Sequence, residues 1–236
     1  MDTFHYVGSE LDLFAAAKNW KSYWSSRIRP YVTGDVLEVG AGIGSNTSVM
    51  SRGNSGRWVC MEPDAGLLAT LKENVSRMGG GRSYESICGT LASIDPEARF
   101  NTIVYIDVLE HIENDAAELA LAAEHVRPGD CVIVLSPAHQ WLFTPFDAAI
   151  GHFRRYNRAS LRKASPPGLK LERIFYLDAC GIAASSMNQL FLRQSMPTAE
   201  QIGLWDKWII PASRVIDAIV RYSMGKSIVG VWRKPL

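Results

Sequence analysis

The chain has 236 residues, 47% apolar and 21% charged, with a formal net charge of +1. That length supports one sizeable core, and this composition excludes a disordered or low-complexity chain. So small a net charge supplies no global field to recruit nucleic acid or an acidic membrane.

The opening residues, MDTFHYVGSELDLF, have no basic n-region and no apolar h-region, so no signal peptide is expected. No uncharged run approaches the roughly 18 apolar residues of a membrane span, and a cytoplasmic protein is the expectation. Cys60, Cys88, Cys131 and Cys180 lie far apart with no C-x-x-C pair, which reads as reduced thiols rather than a disulfide or zinc framework. SELDLFAAAKNWKSYW predicts a helix capped by Ser9, with Leu13, Ala17, Trp20 and Trp24 on one face.

From residue 35 the pattern alternates. DVLEV predicts a strand, followed by a glycine turn and a helix to about Arg52. RWVCME is a second strand, and DAGLLATLKENVSRM a helix ending at Gly79–Gly81. YESIC is a weaker third strand and FNTIVYID a fourth. ENDAAELALAAEHV predicts a helix, Pro128–Gly129 a turn, and DCVIVLSP a fifth strand. Continuous apolar strands separated by helices predict a parallel sheet covered on both faces, with ligands at the carboxyl ends of its strands.

After Pro137 the rhythm breaks. AHQWLFTPFDAAIGHFRRYN reads as a loop or lid, and NRASLRKA as a short helix capped by Asn157. LKLERIFYLD and KSIVGVWRK are two late strands, with helices near 180–194 and 199–223 between them. The expected organisation is one domain: an N-terminal helical lid at 1–33, a cofactor-binding core at 34–137, and an acceptor-side loop, helical insertion and final strands at 138–236. Ile209, Ala212, Ile216, Ile219 and Val220 form an apolar stripe dotted by Lys207, Arg214 and Arg221. It reads as a core-packing or homodimer-forming helix in preference to a membrane-surface one.

VLEVGAGIGSNT carries the chemistry. Gly40 and Gly42 fit a dinucleotide fingerprint, but Ser45 stands where its third glycine belongs. Glu38, at the end of the preceding strand, would repel a pyrophosphate at this turn. It suits the ammonium and sulfonium of S-adenosylmethionine, and the glycines allow close backbone approach. Glu62, ending the second strand, suits the two hydroxyls of a ribose.

VLEVGAGIG, Glu62, YIDVLEHI and VRPGDCVIVLSP together resemble the motifs of class I S-adenosylmethionine-dependent methyltransferases over roughly residues 34–137. FDAAIGHFRRYNRASL and GKSIVGVWRKP resemble a bacterial small-molecule subfamily often found with sugar- and lipid-modifying enzymes. The resemblance implies a Rossmann-like, doubly wound, seven-stranded α/β sheet, mostly parallel with an antiparallel last strand. It also implies cofactor contacts at Glu38, Gly40, Gly42, Gly44, Glu62 and Asp107. Gly89, Thr90 and Leu91 stand where many members carry an acid, so adenine falls to backbone groups or Thr90.

His111, His152 and Tyr156 are the candidates for proton handling. The alternative for His111 is a helix-start histidine bonded to backbone. His139, Arg154, Arg155 and Tyr156 are candidates for an anionic or sugar-like acceptor; the alternative is an arginine paired with Asp147 while Tyr156 packs. Glu110 and His111 offer two donors for a divalent ion, as in some quinone-directed relatives. Adjacency alone makes no site, and no metal is expected. A nicotinamide-dependent oxidoreductase and a non-catalytic or partner subunit remain as rivals. With no basic stripe, and DVLE where a base-directed tetrad would stand, a nucleic-acid substrate is not expected.

Overall fold

The computed structural model describes residues 5–8, 10–78, 83–187 and 197–236. Seven strands form one sheet: β1 (Val36–Val39), β2 (Trp58–Glu62), β3 (Tyr84–Cys88), β4 (Phe100–Ile106), β5 (Val126–Pro137), β6 (Lys170–Leu177) and β7 (Ser227–Arg233). Their order is β3-β2-β1-β4-β5-β7-β6. The first five pair in parallel, and β7 runs antiparallel to both β5 and β6. This is the expected doubly wound, Rossmann-like architecture. Proline and glycine at 128 and 129 do not end a turn before β5. They sit within it, where the pairing slips from Phe100↔Val126 to Thr102↔Cys131. Gly129 takes a positive φ of 84° there, the conformation a bulge needs.

Each face of the sheet carries its own core. Val36, Trp58, Cys60, Val104 and Ile133 face one side, while Leu37, Met61, Ile103 and Val132 face the other. Strand alternation therefore puts Glu38 on the side of Val36, Trp58 and Cys60, pointing inward.

Helices α1 (Leu11–Ala15) and α2 (Lys18–Ile28) replace the single N-terminal helix expected from the sequence. Ala17 breaks the run with ψ 72°. The break exposes the first N–H groups of α2, and Asp206 takes two of them, accepting from Asn19 N (3.1 Å) and Trp20 N (2.8 Å). A helix N-terminus favours such a carboxylate. Ser9, the expected cap, lies outside the described residues.

The next helices are α3 (Thr47–Met50), α4 (Ala65–Ser76) and α5 (Asp115–His125), then α6 (Pro145–Ala149) and α7 (Arg158–Lys163). Asp64 caps α4 and Asn157 caps α7 through their side chains. The glycines proposed to end α4 lie outside the described residues.

In the insertion, α8 covers Ala179–Met187, and the rest of the expected 180–194 helix lies outside the described residues. α9 (Ala199–Leu204) continues through a π-turn at Trp205–Ile209 into α10 (Ile210–Ile219). Asp217 accepts from Asp178 N, Ala179 N and Tyr23 Oη, tying α10 to the start of α8 and to α2. Two aspartates on one segment thus fasten two other helices. Of the apolar stripe expected to pack in the core or to form a dimer, Ile219 is 69% exposed and Ile216 38% exposed, so it is not a core face. Among the described residues no helix is long and apolar enough to cross a membrane.

Candidate active site

A cavity of about 280 Å³ lies at the carboxyl ends of β1, β4 and β5, where an open α/β sheet binds its ligands. Gly40–Ile43 and Asp107 form its sheet side. Lys21, Trp20 and Trp24 of α2 form a second wall, with Ile202 and Trp205 of the insertion. Phe146, Ile150, His152 and Arg155 of the loop after β5 face them. Tyr6, Glu10 and Leu11 cross one edge.

Gly40 and Gly42 have φ of 64° and 55°. A Cβ at Gly40 would come within 2.6 Å of Val108, so only glycine fits. Glu38 is buried beneath this turn, accepting from Thr47 Oγ1 (2.7 Å) and Trp58 Nε1 (2.9 Å). Burial pushes its carboxyl up to about 7 against those two bonds and the nearby Lys21 charge. Glu62 is buried beside it and accepts from Gly42 N (2.9 Å) and Asp64 N (3.0 Å). Burial raises its pKa, and the two backbone N–H groups oppose the rise. Glu38, Glu62, Gly44 and Thr90 are not among the cavity's walls, and Thr90 sits exposed after β3.

Asp107 follows β4 with φ 54° and opens onto the cavity. Surrounding protein raises its carboxyl, opposed by His152, Lys21, Lys226 and Arg155. Access to water through the cavity limits that rise. Glu110 is buried: Ser136 Oγ donates to its Oε2 (3.0 Å), and its Oε1 has no hydrogen-bond partner. Burial first, then the Asp107 charge, pushes it well above the ordinary carboxylate range.

The loop after β5 is organised by Asp147, fully buried. It closes a capping box with Thr144, whose N and Oγ1 donate to Oδ2 (2.8 and 2.9 Å). Arg155 donates to it twice, Nε to Oδ1 (2.8 Å) and Nη2 to Oδ2 (2.9 Å). His152 Nδ1 lies 2.9 Å from Oδ1. Burial alone would raise this carboxyl, but His152, Arg155 and Thr144 hold it far below its usual value. A carboxylate can only accept, so Nδ1 of His152 carries the proton and Nε2 keeps the lone pair when the ring is neutral. Nε2 lies 3.8 Å from Glu110 Oε1.

The sequence candidates separate here. His111 and His152 come together, ring centroids 4.5 Å apart. Burial and the His152 ring lower His111 to about 4, against hydrogen bonds with the backbone of Gly151 and Ile150. Arg155 reaches the cavity wall but is committed to Asp147. Arg154 pairs with Asp115 (2.9 Å) and donates to Glu113 O. Tyr156 is buried, its Oη donating to Asp115 Oδ2 (2.7 Å). His139 stacks on Tyr176 at 5.0 Å. Arg154, Tyr156 and His139 are not among the cavity's walls. Glu110, His111 and His152 bring one ligand-capable atom each within 4.8 Å of one another. That donor set is of a kind a divalent ion accepts, while both imidazoles already have protein partners.

Sequence reasoning passed over Lys21 and Lys226. Both line the cavity, and neither forms an ion pair within 4.0 Å among the described residues. Burial lowers Lys21 to about 8, with Asp107, Glu38 and Asp206 opposing the fall. Lys226 Nζ lies 5.3 Å from the Trp205 ring centroid. A lysine between two buried tryptophans was the available signal at Lys21.

Residues 36–129 match the family model of a methyltransferase domain. A ubiquinone biosynthesis O-methyltransferase of Bradyrhizobium sp. (strain ORS 278) is 26% identical over 106 residues, 45% of this chain and 41% of that protein. The match thus spans less than half the length of the curated relative. The phosphoethanolamine N-methyltransferase 2 of Haemonchus contortus, in complex with S-adenosyl-L-methionine, superposes with a TM-score of 0.64 at 14% identity. That superposition covers 97% of this chain and 58% of the other. A cyclopropane synthase of Mycobacterium tuberculosis gives a TM-score of 0.57 at 14% identity over 90% and 82%. Residues 36–129 are thus similar to a methyltransferase domain, and the strand order is that of the fold shared with these structures.

Proposed function

We propose that this protein transfers a methyl group from S-adenosylmethionine to a hydroxyl or amine of a small-molecule acceptor with an apolar body. The observation that carries the reading is the convergence, in one cavity, of the glycine turn, the opposite charges of Lys21 and Asp107, and an imidazole oriented by Asp147. The methionine end of the cofactor is a zwitterion. Asp107, with Glu38 behind the turn, would hold its ammonium, and Lys21 its carboxylate. Glu62 would take the ribose hydroxyls in exchange for its backbone partners. When bound, the cofactor supplies a methyl group on a cationic sulfur.

The chain's own groups do the rest. Leu11, Phe14, Trp20, Phe146, Ile150 and Trp205 exclude water and position the acceptor, which supplies much of a transfer rate by itself. His152 Nε2 accepts the acceptor's proton, and Asp147 stabilises the resulting imidazolium. His111, lowered to about 4 and held by backbone, stays neutral and packs against His152. Arg154 holds Asp115 and Arg155 holds Asp147 through Nε and Nη2, which favours an apolar acceptor body. The buried Nη1 of Arg155 has no hydrogen-bond partner among the described residues and leaves a donor for an anionic or sugar-like group.

Titration calorimetry with S-adenosylmethionine, S-adenosylhomocysteine and NADH tests the cofactor half. Heat with either methionine cofactor and none with NADH is expected. The reverse pattern would sink the reading and favour the oxidoreductase rival. A protein that binds the cofactor but labels no acceptor from a methyl-labelled metabolite extract would favour the non-catalytic subunit.

A further inference from the structure

The segment from α9 through α10 is built inside out. Its inward side mixes polar and apolar groups: Asp206, Ser213 and Asp217 are buried together with Ile202 and Ile210. Asp206 caps α2, Ser213 Oγ donates to Asp178 Oδ1 (2.6 Å), and Asp217 caps α8. Its outward side carries Leu204 and Trp208, one turn apart, then Val215 and Ile219, also one turn apart, each at least 60% exposed. A helix fastened through polar groups, showing its large apolar side chains to solvent, has a reason outside the fold.

The charges on this segment say what it meets. Glu200, at the start of α9, is exposed and acidic; between residues 203 and 224 every exposed charged side chain is basic: Lys207, Arg214 and Arg221. The two acids there, Asp206 and Asp217, are buried. Arg27 of α2 adds a fourth cation, its guanidinium 4.6 Å from the ring of Tyr222. Lys207 Nζ lies 5.3 Å from the Trp208 ring centroid, beside the most exposed aromatic of the segment. A whole chain of net charge +1 therefore concentrates positive charge around one apolar strip. A two-fold contact between copies would set these cations against one another, with Glu200 the one exposed acid the described part of the segment offers between them.

We propose that the outer face of α9–α10 docks on an anionic lipid surface, with Leu204, Trp208, Val215 and Ile219 entering the headgroup region and Lys207, Arg214, Arg221 and Arg27 meeting its charge. An amphipathic helix with basic flanks and an interfacial tryptophan binds in this way. The inner side of the same segment carries Ile202 and Trp205 on the cavity wall. A docked surface lies one helix diameter, about 10 Å, from the site. The docking face stands on its own geometry, whatever the cavity binds.

Co-sedimentation of the full chain with phosphatidylcholine vesicles, with and without phosphatidylglycerol, tests it. Binding to the anionic vesicles alone, weakened by salt, is expected. Lys207→Ser should weaken it about fivefold, the contribution of one cation near such a surface. Trp208→Ser with Ile219→Ser should abolish it, with a blue-shifted tryptophan emission on binding seen in the wild type alone. All three side chains point outward, so the melting temperature should hold and report folding. The proposal fails if the wild type stays in the supernatant with anionic vesicles. It fails equally if the double variant binds as well as the wild type, or if the wild type sediments as a dimer that the double variant converts to monomer.

Discussion

Two groups of charges face the cavity, and they are built on opposite terms. Around Asp147 the carboxylate is fully answered: it takes two bonds from Arg155, one from His152 and two from Thr144. Across the cavity, Lys21, Lys226 and Asp107 face one another with no ion pair among them. The first group makes a loop rigid and points one ring. The second leaves charge unspent at the wall, where a zwitterionic ligand can meet it. Paired ions hold the loop, and unpaired ions wait for a ligand. Rank by chemical type inverts this: an arginine pair draws attention, whereas a lone lysine between tryptophans does not.

The largest expected effect comes from breaking the paired group. Asp147→Asn leaves a buried guanidinium and an imidazole without their anion, a loss of about 3–5 kcal/mol. Thermal and urea melts read it directly, and a melting point near wild type would show that the loop does not depend on this carboxylate. Glu62 stands between the two groups, because its partners are backbone N–H donors alone. Glu62→Ala should weaken S-adenosylhomocysteine binding by about 1.5–3 kcal/mol, the worth of charge-assisted bonds to a ribose. An unchanged dissociation constant in a folded variant would remove Glu62 from the cofactor site.

Lys21→Met sharpens the comparison. It should weaken S-adenosylhomocysteine binding about tenfold, near 1.4 kcal/mol and just under the range for a hydrogen bond to a charged group. Binding of 5′-methylthioadenosine, which lacks the amino-acid tail, should not change. An equal loss for both ligands would assign Lys21 a structural role. The stability profile carries a second signature. The folded pKa of about 8 lies below the ordinary 10.5, so the unfolded chain binds the proton more tightly. Stability should therefore rise relative to Lys21→Met as pH climbs from 8 to 10.5. The smallest effect belongs to Arg154→Ala: its pair with Asp115 is partly solvated, worth under about 1 kcal/mol, and cofactor affinity should stay at wild type.

Where the fold depends on neighbours in sequence, it was legible. The glycine turn, Glu38 and Glu62 follow one another along β1 and β2, and their order alone pointed to the fold and the cofactor. Asn157 and Asp64 cap helices from the adjacent position. What the sequence hid depends on partners far apart. Nothing near Ala17 announces that the N-terminal helix breaks there, because the carboxylate that caps the second piece is Asp206. Glu38 reads as a free acid at the mouth of the turn until Trp58 Nε1 and Thr47 Oγ1 are seen to take one of its oxygens. The stripe from Ile209 to Val220 read as a core-packing or dimer-forming face, since helical periodicity marks an apolar face without saying which way it turns. Only the burial of Asp206, Ser213 and Asp217 sets that direction.

The Asp206 contact also bears on how the molecule assembles. The residues it joins are separated by 187 positions, and a contact of that span closes a long loop before it returns any stability. During synthesis the sheet strands β1 to β5 emerge and can pair while α2 still lacks the groups that complete its first turn. A helix made early is thus among the last to be secured. The wall it forms, with Lys21 and Trp20, exists only once the final third of the chain has arrived. A nascent chain or a truncated product that ends before the insertion would own the glycine turn without owning the cavity.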